Sequence, residues 1–251
     1  MPDEADETRR SNGVGGGDGK LPVVVLIHGG FWRAVYTKVL MNGLARSVAS
    51  RGWAAWNLEY RRVGLLGGGG GWPDTFHDIA SGIDHIATVE GLDVSRVVAC
   101  GHSAGGQLAL WACAREKLEL ASSDRGFSSE VRLRGAVSLA GVVDLSESDK
   151  IGLGNDAVSN FLGGHRDEVA DRYAMASPRA LLPLDVPQVL IHGSDDDAVP
   201  PSMSEEYCKA ASQLGDRAEY VPIQGVGHRD LINPKANAWE IALGHLEVLL
   251  S

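Results

Sequence analysis

No stretch of this chain stays apolar for the roughly 20 residues that a membrane-spanning helix needs. Its first ten residues, MPDEADETRR, hold no apolar segment of the kind that serves as a secretory signal. Cysteine is scarce. Cys100, Cys113 and Cys208 are an odd number without framework spacing, which argues against a disulfide scaffold. Cys100 and Cys113 fall on apolar segments and read as small core residues. Positive charge is in deficit: 23 Lys and Arg against 33 Asp and Glu give a formal net charge of −10, which disfavours nucleic acid or an anionic membrane as partner. The His and Cys residues lack metal-ligand spacing, and the glycines form neither a Rossmann nor a P-loop pattern. The expectation is a cytoplasmic protein with no metal or cofactor and a small-molecule ligand. Oligomeric state stays open.

What is present fits one large α/β domain: 251 residues, 44% hydrophobic and 22% charged. Residues 1 to about 20 are charged and then glycine-rich, and cannot bury enough surface to order themselves. They read as a flexible tail, with a single domain over 21–251. Leu21 to Ile27, with three consecutive valines, has the continuous apolar pattern of a strand buried on both faces. Further strands are expected at Trp53–Leu58, Arg96–Cys100, Gly135–Ala140, Val186–Ile191 and Ala218–Ile223. Helical spacing marks Tyr36–Ser50, Asp74 to about Val89 with Asp74 as cap, Gln107–Ala114, Ser202–Leu214 and Asn237–Leu250. Gly64 to Gly71 is a loop, and so is the polar stretch from Ser122 to Glu130. Asp144 to Pro178 reads as a small irregular cap-like insertion with one helical piece at Ala157–Leu162. Strands alternating with helices imply about six mainly parallel strands flanked by helices.

The chain is organised around Cys100-Gly101-His102-Ser103-Ala104-Gly105-Gly106. A Ser with Gly at both second neighbours, between a strand and a helix, reads as a nucleophile elbow. Its turn is so tight that neighbouring side chains must be absent. The following helix start presents free N–H groups and a positive dipole end. Two other stretches lie where parallel sheets place ligands, after strand C-termini. One is the acid cluster Asp195-Asp196-Asp197; the other is His228 on the loop Gly225-Val226-Gly227-His228. A serine hydroxyl needs an imidazole to take its proton, and a carboxylate to orient that imidazole. The backbone N–H of Ala104, directly after the nucleophile, is a candidate oxyanion donor.

From residue 21 to 251 the chain resembles the α/β-hydrolases, whose triad runs in the order Ser, Asp, His. His28-Gly29-Gly30-Phe31-Trp32 is similar to the HGGxW signature of kynurenine formamidases and related small esterases. GHSAGG, the distal Gly193, Asp196, Val199 and Pro200, and Phe161-Leu162-Gly163-Gly164, Tyr173 and Ser177-Pro178 resemble the wider esterase and prolyl-peptidase-like group. The resemblance selects Asp196 from its cluster and His228 as base, and makes His28, His102 and His192 structural. It carries further oxyanion-donor roles to Gly30 and Phe31. Trp32 has two readings, packing beneath the loop or lining the acyl pocket; Tyr60 likewise either touches substrate or makes a sheet-edge hydrogen bond. The implied function is a cofactor-independent serine hydrolase, carboxylesterase or arylformamidase, with Ser103, Asp196 and His228 as triad. The alternatives are a non-catalytic small-molecule-binding relative and a prolyl-peptidase-like amidase.

Overall fold

The computed structural model describes residues 19–121 and 127–251. Residues 1–18, most of the expected tail, and 122–126 of the expected polar loop lie outside the described residues. Six parallel strands form one sheet in the order β2-β1-β3-β4-β5-β6. They are β1 (Leu21–Ile27), β2 (Ala54–Leu58), β3 (Leu92–His102), β4 (Ala136–Leu139), β5 (Gln188–Gly193) and β6 (Ala218–Ile223). The helices are α1 (Asn42–Ser50), α2 (Asp74–Asp84), α3 (Ala104–Cys113), α4 (Arg115–Ala121), α5 (Leu145–Lys150), α6 (Ala157–Leu162), α7 (Ala170–Ala176), α8 (Pro201–Gln213) and α9 (Asn237–Leu250).

The period of two along each strand divides the core into two layers. Val24 and Leu26 of β1, Val98 and Cys100 of β3 and Val137 and Leu139 of β4 pack with Leu44 and Val48 of α1 and Trp239, Leu243 and Leu246 of α9. Val23, Val25, Ile27, Val97 and Ala99 face the other way, onto Phe76 and Ile79 of α2, Leu108 of α3 and Tyr207 of α8. Both faces of β1 are therefore covered, which is why its sequence is apolar without alternation.

Three boundaries differ from the sequence reading. The segment from Tyr36 starts as a 3-10 turn over Lys38–Met41, with Thr37 Oγ1 accepting from Val39 N–H, and becomes α-helical only at Asn42. Asp74 does not cap α2. Pro73 holds the cap position, and Asp74, inside the helix, accepts from Arg61 Nη1 at 2.8 Å instead. The 144–178 region is less irregular than expected, because α5 and α7 flank the anticipated α6. Asp144 caps α5 by accepting from Glu147 N–H at 3.0 Å.

Strand order sets the position of the site. From β1 the chain moves outward to β2, then crosses back to the other side of β1 as β3. The loops leaving β1 and β3 consequently diverge at a topological switch point, where open parallel sheets leave a crevice at their C-terminal edge. The β1 loop is His28–Trp32, and the β3 loop is the elbow.

Candidate active site

The elbow's sequence follows from its geometry. Ser103 sits at φ 56°, ψ −120°, a conformation costly for a residue with a side chain. Surrounding bonds hold it there: Ser103 N–H donates to Leu139 C=O at 2.8 Å, and Ser103 C=O accepts from Gly106 N–H at 2.9 Å. A Cβ at Gly101 would overlap the Gly105 carbonyl, and one at Gly105 would overlap the Ile27 carbonyl. Both positions therefore need glycine, so that the incoming strand and outgoing helix can cross at backbone distance.

The β1 loop lies directly against Ser103. A Cβ built on Gly29 would stand 2.9 Å from Ser103 Cβ and 2.6 Å from the His102 carbonyl oxygen. Gly30, Phe31 and Trp32 follow at φ 113°, 52° and 55°. Two consecutive non-glycine residues in the left-handed region mark a backbone held by its surroundings. Among the described residues no backbone or side-chain acceptor takes the N–H of Gly30, Phe31 or Ala104. Backbone N–H groups left without a protein acceptor are the kind of donor that an oxyanion site uses.

Several contacts hold the loop. Trp32 turns inward, fully buried, stacks on Phe161 at 4.4 Å and donates its Nε1–H to Gln107 Oε1 at 3.2 Å. Arg33 reaches over the insertion, donating to the carbonyls of Gly154 and Asn155. His28 stacks on Tyr60, its rings 4.3 Å apart, and Tyr60 Oη–H donates to His28 C=O at 2.8 Å. His28 Nε2 donates to Glu59 Oε1 at 2.9 Å, and Arg62 joins Glu59 at 2.7 Å to the Tyr36 carbonyl at 2.6 Å. Of the two readings left open for each, the geometry fits packing beneath the loop for Trp32 and a backbone hydrogen bond for Tyr60, rather than the substrate contact. Both side chains lie beneath the loop, and neither lines the cavity that holds Ser103. The left-handed turn at Phe31 and Trp32 sends the indole into the core, and the Tyr60 hydroxyl is taken up by the loop's own backbone.

Asp196 and His228 come together from the loops after β5 and β6. His228 Nδ1 lies 2.7 Å from Asp196 Oδ2, and the Asp196 side chain is fully buried. Asp196 Oδ1 accepts from Ala198 N–H at 2.9 Å and Val199 N–H at 2.8 Å. Burial alone would raise this carboxyl. Hydrogen bonds from His192 and His228 and from Val199 N–H outweigh burial and hold it well below the usual carboxylate range. Asp195 and Asp197 are exposed loop residues. His102 packs 4.5 Å from the His228 ring and donates from Nε2 to the His228 carbonyl at 3.0 Å. Burial brings the His102 imidazole down to about 3, so it is a neutral prop.

Ser103 and His228 line one cavity of about 510 Å³, within the range of small-molecule sites. No hydrogen bond joins the Ser103 hydroxyl to the imidazole here; in such sites that bond commonly tightens only with substrate present. Gly30, Phe31 and Tyr36 line the cavity, as do Leu40 and Ile232, which the sequence reading did not single out. Leu40 carries a signal that helical spacing obscured: it is a large apolar side chain left 40% exposed beside the site. Among the described residues, no group of three or more His, Cys, Asp or Glu side chains is arranged to hold a metal ion. No described helix is long and apolar enough to cross a membrane.

A six-stranded parallel sheet carrying a strained serine elbow beside a glycine loop at its switch point gives the chain the α/β-hydrolase fold. More narrowly, the BD-FAE family model matches residues 15–210, and the chain belongs to that family. It is 28% identical over 233 residues to a probable isoprenylcysteine alpha-carbonyl methylesterase of Arabidopsis thaliana, covering 85% of this chain and 46% of that protein. It thus spans about half the length of the curated relatives it matches. A truncated carbohydrate esterase from gut microbiota has the same fold at TM-score 0.77 and 18% identity, over 93% of this chain and 87% of that one. An esterase of Thermogutta terrifontis aligns at TM-score 0.70 and 23% identity, over 92% and 81%.

Proposed function

We propose that this chain is a cofactor-independent serine esterase acting on small carboxylic esters through an acyl-enzyme. The observation that carries the reading is the 2.7 Å Asp196–His228 contact opening on the same cavity as Ser103. His228 Nε2 takes the Ser103 proton as Oγ attacks the ester carbonyl, and Asp196 stabilises the imidazolium that forms. The N–H groups of Gly30, Phe31 and Ala104 receive the tetrahedral oxyanion. The imidazolium then protonates the departing alcohol. Water, activated by the same ring, attacks the acyl-enzyme and releases the acid. As the second tetrahedral intermediate collapses, the imidazolium returns the water's proton to Ser103 Oγ and restores the free enzyme.

Every named relative is an esterase, which supports an ester over an amide substrate; HGGFW supports including a formamide in the test. The experiment is kcat/KM for p-nitrophenyl acetate, p-nitrophenyl butyrate and N-formylkynurenine, with Ser103→Ala as blank. Turnover of the acetate and butyrate that vanishes in the blank is the expected result. A strong preference for the formamide identifies an arylformamidase instead. Activity surviving in Ser103→Ala overturns the mechanism.

A further inference from the structure

We propose that His192, oriented by Ser204, is a positioning residue for the triad acid: it fixes the oxygen of Asp196 that faces His228. The inference rests on the serine-esterase reading. Its basis is a donor count around one carboxylate. Asp196 Oδ1 is held by two backbone N–H groups. Oδ2 faces His228 Nδ1 at 2.7 Å, and His192 Nε2 stands 3.1 Å from the same oxygen.

The proton on His192 can be placed. Its Nε2 faces only acceptors, Asp196 Oδ2 and the Val199 carbonyl at 3.0 Å, so Nε2 carries the hydrogen. Nδ1, 2.8 Å from Ser204 Oγ, is then the acceptor of the serine hydroxyl. His192, Ser204 and the Asp196 side chain are all fully buried, so no water substitutes for any of these groups. A hydroxyl from the first turn of α8 therefore orients an imidazole at the end of β5. That imidazole ties Asp196 to Val199 across the turn that carries the acid.

During turnover the His228 ring gains and loses a proton, and Asp196 must hold its place through both states. With His192 present, Oδ2 is located independently of His228. A leucine at 192 would fill the space but leave Oδ2 held by His228 alone. The other titratable or charged groups around this cluster are His102 against His228, Arg229 and Asp230 beside His228 on the cavity wall, and the exposed Asp195 and Asp197 on the acid's own loop.

The test compares His192→Leu, His192→Gln and Ser204→Ala with the wild type and Ser103→Ala, measuring kcat and KM for p-nitrophenyl acetate across pH. His192→Leu is expected to lower kcat about tenfold, well short of the ~10⁴-fold that loss of the acid's charge costs a serine protease. KM stays near its wild-type value. The acid limb of kcat/KM moves to higher pH, because a carboxylate with one donor fewer holds the imidazolium more tightly. His192→Gln, whose amide N–H reaches the Nε2 position, restores kcat and the limb. Ser204→Ala shifts both in the direction of His192→Leu by less. Unchanged kcat and limb in His192→Leu, or equal damage from Leu and Gln, overturns the proposal and leaves His192 a space-filler. Where His192→Leu does not fold, Ser204→Ala decides by the same two readouts. A wild type without Ser103-dependent turnover counts against the esterase reading instead. The downfield His228 Nδ1–H proton resonance then tests the contact alone, moving in Ser204→Ala if the chain of bonds holds and staying if it does not.

Discussion

Replacing Asp196 with Asn keeps the shape and removes the charge, and the structure dictates how the amide must sit. Oδ1 accepts from two backbone N–H groups, at 2.9 and 2.8 Å, so the amide oxygen has to occupy that position. The amide NH2 then takes the place of Oδ2, where it meets His228 Nδ1 at 2.7 Å and His192 Nε2 at 3.1 Å. Donor would face donor. The His228 ring escapes by moving its proton to Nε2, the atom that must accept from Ser103. The corresponding change in a serine protease costs about 10⁴-fold in kcat, or ~5 kcal/mol of transition-state stabilisation; a loss of that order is expected here, with KM little changed. Stability falls by about 2 kcal/mol, the scale of a hydrogen bond to a charged group. The folded-state carboxyl lies below its ordinary range. Its contribution is therefore present above about pH 3.9 and lost as pH falls through the lower folded value, and thermal melts in acid should show less of this loss in the variant. The assay is kcat and KM on p-nitrophenyl acetate for Asp196→Asn beside Asp195→Asn and Asp197→Asn. Near-wild-type turnover in Asp196→Asn, or an equal loss in either neighbour, refutes the reasoning.

Three further outcomes follow from packing and titration. Gly101→Ala drives a methyl group into the Gly105 carbonyl and should cost about 3 kcal/mol, read as a lower thermal midpoint; a neutral result would mean that the elbow relaxes. Trp32→Phe loses the hydrogen bond to Gln107 and should cost about 1 kcal/mol with KM unchanged, whereas a raised KM would return Trp32 to the substrate site. His102 titrates near 3 when folded and near 6.5 when unfolded, so its contribution is full above pH ~6.5 and is lost as pH falls toward ~3. Denaturant melts across that window should fall less steeply for His102→Gln, by up to about 1.4 kcal/mol per pH unit; an equal slope would contradict the buried neutral assignment.

The sheet was legible because its information is local and repeated. The apolar run of β1, the small-residue elbow and the long amphipathic stretches each carry enough residues for one pattern to prevail. α5 and α7 were not legible, since six and seven residues bury too few side chains to show a period, although Asp144 three residues before Glu147 was a capping signal. Asp196 was separable from Asp195 and Asp197 only through a family resemblance. What distinguishes it in space is the pair of N–H groups from Ala198 and Val199, a backbone property. The two readings of Trp32 and of Tyr60 stayed open for a related reason. Nothing in the letters Phe-Trp announces two consecutive left-handed residues, and that turn decides which aromatic faces the cavity and which the core. Glu59 was hidden as an ordinary strand-end residue because its partner His28 lies on another loop, and the resemblance marked His192 only as structural, without its link to Ser204 of α8.

The measurement that tests the central claim most directly is the intact mass and peptide map of the protein after a fluorophosphonate, for the wild type and for His228→Ala. One adduct per chain on Ser103, formed much more slowly without His228, is the predicted result. Labelling at another residue, or no labelling of a folded wild-type protein, would contradict it.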